Sequence, residues 1–331
     1  MQADDKPRMD PRLAQRLAEK KAELDRYRPL SAATVGYIND QLRVLLAYHS
    51  NAIEGNTLSL RETQLVIEHG ITVGGHSLRE HLEATNHAQA FAYLTELISR
   101  REPITRDVIL TLNRLIVDKL IDTAGQFRTG PVSIRGARIQ PPPAAQVPKL
   151  MREWVAWVDG EGQSYPTVLR AAIAHQGFEA VHPFMDGNGR TGRLLMNLIL
   201  MLDGYPPALL LQEWRLAYLE ALAVADSGRY GSLANLIGRA VEQGLDLYLE
   251  ACERAPVPEE ADERPLSDLA REFGYTTDYL RLLIGKGRIA ATKRGLRWYS
   301  TRAAIERYRR EVEQGAVPTG RPRGRKRSTG R

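Results

Sequence analysis

The chain has 331 residues, 43% of them hydrophobic and 26% charged. That is the balance of a soluble globular protein with room for two or three domains, and it excludes a disordered or membrane-embedded chain. The single cysteine, Cys252, rules out an internal disulfide and suits a reducing, cytoplasmic setting; the opening MQADDKPRMD lacks the apolar core of a secretory signal. The net charge of +6 is unevenly spread: residues 281–331 hold sixteen Lys/Arg and three acids, +13, leaving −7 on the first 280 residues. A basic end on an acidic body points to a polyanionic partner for that end.

In chain order, the first two-thirds predicts helix after helix. Residues 11–28, 33–50 and 78–99 keep apolar side chains at helical spacing, and 106–121 does so behind Thr105 as an N-cap. GQFRTGPVSIRGARIQPPP (125–143) breaks the pattern. Its short β-type runs around Gly136 predict a small hairpin and then a rigid proline loop. Helices resume over 147–160, 165–181 and 191–204 and continue to about Cys252. The apolar run LLMNLILML (194–202) is interrupted by Asn197 and falls short of the about 20 residues that a bilayer span needs, so it predicts a buried helix. APVPEEADERP (255–265) has the composition of a linker. A small domain follows over about 265–312, and TGRPRGRKRSTGR (319–331) reads as a disordered basic tail.

The chemistry concentrates in HPFMDGNGRTGR (182–193). No Gly-Lys-Ser/Thr follows, so this is not a Walker loop. Asp186-Gly-Asn-Gly-Arg190 sits at the start of a helix, where free N–H groups and the helix dipole favour an anion. Gly187 and Gly189 let the backbone approach that anion closely. Arg190 and Arg193, three apart, offer planar forks for phosphate. Asp186 makes sense beside them if it holds a divalent cation against the phosphates. His182 can take a proton near neutral pH. Each feature alone is commonplace, as a turn or a solvated face. Together they describe a nucleoside triphosphate with Mg²⁺, attacked by a hydroxyl that His182 deprotonates.

This stretch resembles, in full, the His-Pro-Phe-x-Asp-Gly-Asn-Gly-Arg-x-x-Arg motif of the Fic family. AGQFRTGPVSI (124–134) resembles the segment entering that family's β-hairpin flap, and AIAHQGFEAVHPF (172–184) the helix leading into the motif. The likeness covers roughly residues 30–250. It implies a mainly helical core with a small hairpin flap that transfers AMP from ATP to a Ser, Thr or Tyr hydroxyl of a target protein, this chain itself being one candidate target. On that basis His182 is the general base and Phe184 an apolar anchor. Asp186 binds Mg²⁺. Gly187, Asn188 and Gly189 line the anion hole, while Arg190 and Arg193 hold the outer phosphates. The flap would align the target by adding a strand. His175 is expected to be structural.

HSNAIEGNTLS (49–59) gains meaning beside that core. Ser50-x-x-x-Glu54-Gly55 resembles the inhibitory motif of Fic proteins whose blocking helix precedes the core. Its glutamate pairs with the motif's second arginine, here Arg193, and takes the fork meant for the γ-phosphate.

LSDLAREFGYTTDYLRLLIGKGRI (266–289) has helix-turn-helix spacing around Gly274, AATKRGLRWYS (290–300) two short strands around Arg294-Gly295, and a last helix closes the domain. This resembles winged helix-turn-helix domains of the excisionase/MerR kind. Thr276, Thr277, Tyr279 and Arg281 would face a DNA groove, with Lys293, Arg294 and Arg297 on phosphates. A protein-docking winged helix with a solvated basic face is the alternative.

The expected layout is an N-terminal helical region (1–105) carrying the inhibitory motif (50–55), a catalytic core (106–255), a linker (256–264), a winged helix-turn-helix (265–313) and a basic tail (314–331). The expected function is an autoinhibited, Mg²⁺- and ATP-dependent protein adenylyltransferase that also binds DNA. It is expected to be cytoplasmic, homodimeric by analogy and free of membrane contact. Two alternatives stay open: an ATP-sensing DNA-binding transcriptional regulator, or a Fic enzyme of other chemistry such as de-AMPylation or UMP transfer.

Overall fold

The computed structural model describes residues 7–133, 139–254, 263–295 and 297–313. The chain divides into two compact units, 1–255 and 256–331.

The first unit is built of helices. They are α1 (Pro11–Arg26), α2 (Ala32–Ile53), α3 (Leu60–His69), α4 (Leu78–Arg100), α5 (Arg106–Ile116), α6 (Val147–Asp159), α7 (Thr167–Val181), α8 (Asn188–Leu202), α9 (Arg215–Ala225) and α10 (Gly231–Arg254). Local chemistry marks most starts. Asp10 caps α1, Ser31 caps α2 and Thr105 caps α5 through their side-chain oxygens. Ser59 with Glu62, and Ser77 with Glu80, form reciprocal capping boxes that open α3 and α4. α3 was not among the expected helices, although Ser59-x-x-Glu62 is its signature in the sequence.

The core is one continuous apolar cluster drawn from α1, α2, α4–α10 and the segments between them. At its centre lies α8, the predicted buried helix. Its residues 194–200 are all 3% exposed or less. The one polar residue there, Asn197, is satisfied because its side-chain oxygen accepts from Ala208 N at 2.9 Å. α1 lies along α10, with Arg16 and Lys20 reaching Glu242 and Asp246.

α5 ends at Ile116 instead of 121. The carbonyls of Ile116 and Asp118 are taken by the Asn86 side chain on α4, and Lys119 turns left-handed at φ 57°. The expected hairpin falls mostly on 134–138, outside the described residues; its flanks 131–133 and 139–143 have no regular structure. Among the described residues no helix is long and apolar enough to cross a membrane.

The second unit has its own small core of Leu266, Leu269, Ala270, Leu280, Leu283, Ile289, Ile305 and Tyr308. Its helices are α11 (Leu266–Phe273), α12 (Thr277–Gly285) and α13 (Arg302–Glu313). α11 stops at Gly274, which is left-handed at φ 71°, and Thr276 caps α12. Three strands, β1 (Arg264–Pro265), β2 (Thr292–Arg294) and β3 (Arg297–Ser300), form an antiparallel sheet in the order β1-β3-β2. β2 and β3 turn at Arg294-Gly295 as the sequence predicts; β1 was not expected. The tail 314–331 and most of the linker lie outside the described residues.

Candidate active site

α7 and α8 are joined by residues 182–187, and that turn carries the motif. His182 caps α7 in the left-handed region, φ 48° and ψ 61°, rare for a residue with a side chain. Phe184 is 1% exposed and packs on Phe127 and Phe178 with ring centroids 5.6 and 6.3 Å away, as the apolar anchor should. The side chain of Asn188 clamps the same residue from both sides, accepting from Phe184 N at 2.8 Å and donating to its carbonyl at 2.9 Å. The Asn188 amide is thus engaged with Phe184, and its backbone N–H lies in the first turn of α8. Gly187 reverses the chain at φ 79°. A Cβ there would meet Val117 Cγ1 at 2.7 Å, so both backbone and space demand glycine. α8 begins at Asn188, three residues before its predicted start. The N–H groups of its first turn therefore belong to the Gly-Asn-Gly-Arg segment itself.

His182 Nδ1 contacts the Glu179 carbonyl at 3.3 Å. A carbonyl can only accept, so Nδ1 carries the proton and Nε2 is free to receive one. Burial holds the imidazole below its ordinary pKa.

Arg193 is 4% exposed. Its Nε donates to Ser50 Oγ at 2.9 Å, and Nη2 donates to the Ser50 carbonyl at 2.9 Å and to Glu54 Oε1 at 2.7 Å. Burial alone would raise the Glu54 pKa, but Arg193 overrides it and holds the carboxyl below its usual range. The same carboxylate lies over Gly189, where a Cβ would come within 2.3 Å of Oε1. A carboxylate oxygen thus fills the space at the helix N-terminus beside an arginine, the position an anionic ligand would take.

Arg190, 3% exposed, reaches Asp186 Oδ1 at 3.1 Å and Glu83 Oε1 at 3.3 Å. Arg79 bridges Asp186 Oδ2 at 2.5 Å and Glu83 Oε1 at 3.2 Å, closing a ring of two acids and two arginines. Asn113, fully buried, donates to the Asp186 carbonyl at 3.0 Å and accepts from Gly125 N at 3.1 Å, fixing the motif turn to α5. Glu83, Arg79 and Asn113 were not singled out in the sequence. Asn113 had a signal, a polar residue on the apolar face of α5; Arg79 and Glu83 look like any charged pair on a helix. His175 is in the core, its Nε2 2.7 Å from Tyr218 Oη.

In the second unit Thr276 is exposed and spends its hydroxyl on the cap of α12. Thr277 and Tyr279 are half-buried, the Tyr279 hydroxyl 2.8 Å from that of Tyr308. Arg281 is exposed beside Asp278. On the strands, Lys293 lies over Trp298, Arg294 lies over Tyr299 and pairs with Glu263, and Arg297 is exposed.

The Fic/DOC family matches residues 103–200. Protein adenylyltransferase fic-1 of Caenorhabditis elegans is 37% identical over 211 residues, 62% of this chain and 41% of that protein. Protein adenylyltransferase Fic of Drosophila virilis is 36% identical over 63% of this chain and 43% of its own length. A solved fragment of C. elegans Fic-1 superposes with a TM-score of 0.67 at 31% identity, covering 74% of this chain and 73% of that one. A Fic-domain signaling protein from Bacteroides thetaiotaomicron gives 0.66 at 26% identity, covering 74% and 99%. Fold and site define a helical protein with a histidine turn ahead of an anion-accepting helix N-terminus, and the chain belongs to the Fic/DOC family. It spans less than half the length of the curated relatives it matches.

Proposed function

We propose that this chain is a protein adenylyltransferase, which moves AMP from ATP to a hydroxyl of a protein and is held back by Glu54. The observation that carries this reading is the Glu54 carboxylate on Arg193, 2.7 Å away and over Gly189. An anion already occupies the place where the γ-phosphate would bind. Names of relatives agree with the chemistry, since they are called protein adenylyltransferases.

In the reaction, the target hydroxyl oxygen bonds to the α-phosphorus of ATP and the bond to the β-phosphate oxygen breaks, releasing pyrophosphate. Nε2 of His182 takes the hydroxyl proton. The first-turn N–H groups of α8 and the Arg190 and Arg193 forks hold the phosphates, so catalysis is positioning and charge neutralisation. Asp186 is the metal ligand of this reading. Its carboxylate is 31% exposed and already attracts two guanidinium groups, and one carboxylate with substrate phosphates is a usual Mg²⁺ donor set. Mg²⁺, when bound, would neutralise charge on the phosphates.

The test is the intact mass of the full chain incubated with ATP and Mg²⁺. Glu54→Gly should gain an adenylyl group. Wild type and Glu54→Gly/His182→Ala should gain little or none. An adduct of another mass would replace AMP transfer with a different Fic chemistry.

The second unit we read as a winged helix-turn-helix that binds DNA, with α12 facing a groove and the β2–β3 turn on the backbone. Its support is the order helix, turn, helix, strand pair, helix, together with ten positive charges over 281–310 against one acid. Fluorescence anisotropy on duplex DNA should show affinity falling steeply with salt. Affinity unaffected by salt would favour protein docking.

A further inference from the structure

Arg128 lies within the segment that runs into the flap and is 3% exposed. Burying a guanidinium is unfavourable unless a carboxylate or several acceptors receive it. Among the described residues no carboxylate lies within ion-pair distance of Arg128. Its partners are backbone carbonyls: Nε donates to His182 O at 2.8 Å, Nη2 to Pro142 O at 2.6 Å and to Val181 O at 3.3 Å, and Nη1 to Gly130 O at 3.1 Å. Its own backbone N–H donates to Pro183 O at 2.9 Å.

One residue therefore holds three consecutive carbonyls of the motif turn, those of Val181, His182 and Pro183. The Val181 carbonyl is an orphan acceptor at the C-terminus of α7, where a cation also complements the helix dipole. The middle carbonyl belongs to the residue held left-handed at φ 48°. A non-glycine residue persists there only if its surroundings over-determine it. The remaining two partners, Gly130 and Pro142, lie on either side of 134–138.

We propose that Arg128 is a positioning residue for the transfer reaction: its guanidinium fork fixes the backbone that aims His182 and ties it to both flanks of the flap segment, and its unneutralised charge bears on the imidazole. The inference rests on the reading of His182 as the base. A base must be neutral to accept a proton. Burial disfavours the imidazolium at His182, and Arg128 acts in the same direction, whereas the Glu179 carbonyl on α7, Glu54 at the end of α2 and Asp186 in the turn favour it; the Glu179 carboxyl also faces the ring, its Oε2 3.9 Å from Nδ1. Lysine could carry the charge but not the fork of donors. Glutamine could keep part of the bonding but not the charge.

The experiment uses the full chain with Glu54→Gly as the reference, adding Arg128→Lys, Arg128→Gln or His182→Ala. Automodification is followed against ATP and pH, with thermal unfolding as the check on folding. Both Arg128 variants should be slowed about 100-fold in kcat with KM for ATP within about twofold, as for a base misplaced by about 1 Å. The acidic limb of the pH–rate profile should move to higher pH in Arg128→Gln alone, because removing the cation favours the imidazolium. ¹⁵N-histidine NMR should show the same upward move of the His182 titration. Unchanged kcat, or a loss confined to KM for ATP, would overturn the positioning role. A limb that stays put in Arg128→Gln would overturn the electrostatic part. If Arg128→Gln does not fold, kcat of Arg128→Lys decides. If His182→Ala is as fast as the reference, the base assignment fails instead, and the NMR titration alone judges the effect of Arg128.

Discussion

At the scale of single residues, the turn 182–187 concentrates conformations that few side chains tolerate. Gly187 combines φ 79° with Val117 Cγ1 at 2.7 Å from any added Cβ. Gly187→Ala should destabilise the chain by about 1–3 kcal/mol, from the left-handed backbone and the overlap with α5. Urea unfolding followed by circular dichroism measures this; an unchanged midpoint would show that the turn relaxes freely. Much of this turn was legible beforehand. The motif named its glycines, histidine and arginines, and the resemblance supplied Phe184 as anchor. The side chain of Asn188 was not legible. The expectation puts it in the anion hole; its amide, in addition, bonds both the N–H and the carbonyl of Phe184. A motif preserves residue identity without saying which part of the residue does the work.

At the scale of elements, the site depends on helices that contribute nothing to the motif. α5 supplies Asn113, whose amide joins the motif turn to Gly125. Asn113→Ala leaves the Gly125 N–H and the Asp186 carbonyl without those partners and should lower stability by about 1–3 kcal/mol for each group left unsatisfied. Chemical denaturation reads the loss, and Asn113→Asp should recover the Gly125 bond only. Helix periodicity found α5 but ran it on to residue 121, because apolar spacing continues past the point where Asn86 captures the carbonyls of Ile116 and, beyond the helix, Asp118. Periodicity reports which face is apolar. It cannot see a side chain from another helix that ends the ladder. α3 was missed for the opposite reason: its cap is plain, but only ten residues follow, too few for a persuasive apolar pattern.

At the scale of the whole molecule, buried titratable groups set how stability answers to pH. Burial pushes His87 and His175, each 1% exposed, down to about 3. The unfolded chain takes up protons that these folded histidines refuse, so stability falls as pH drops below about 6.5, by up to about 1.4 kcal/mol per pH unit for each. Burial pushes Glu179 the other way, up to about 8. The folded chain keeps a proton there that the unfolded chain releases near 4.5, so stability falls as pH rises through that window to about 8. The thermal midpoint should therefore peak near pH 6.5, and Glu179→Gln should remove the alkaline decline. A midpoint that still falls from 6.5 to 8 in that variant would assign the decline elsewhere. None of this was legible in the sequence. The contacts that matter here join residues far apart, such as Arg79 to Asp186 and Ser50 to Arg193; for Arg193 only the resemblance to a family brought both ends together, and for Arg79 nothing did.

The turn after Glu54 is pinned to α4 at several points. Asn51 donates to the Glu83 carbonyl, Asn56 to the Glu80 carbonyl and the Glu83 carboxylate, and Thr57 N to the Glu80 carboxylate. A carboxylate held this way has a very high effective concentration at Arg193. Even short flexible tethers reach the millimolar range, and a rigid one is preorganised as well. ATP must therefore be present well above its intrinsic Kd to dislodge it, because the apparent affinity is reduced by the fraction of molecules in which Arg193 is open. On the proposed function, a nucleotide displaces Glu54 only through contacts that the carboxylate cannot make, those to the α8 amides, Arg190 and the metal at Asp186. The strength of inhibition is then tunable from the far side of the site: weakening the grip on the inner phosphates should deepen it, with Glu54 itself untouched.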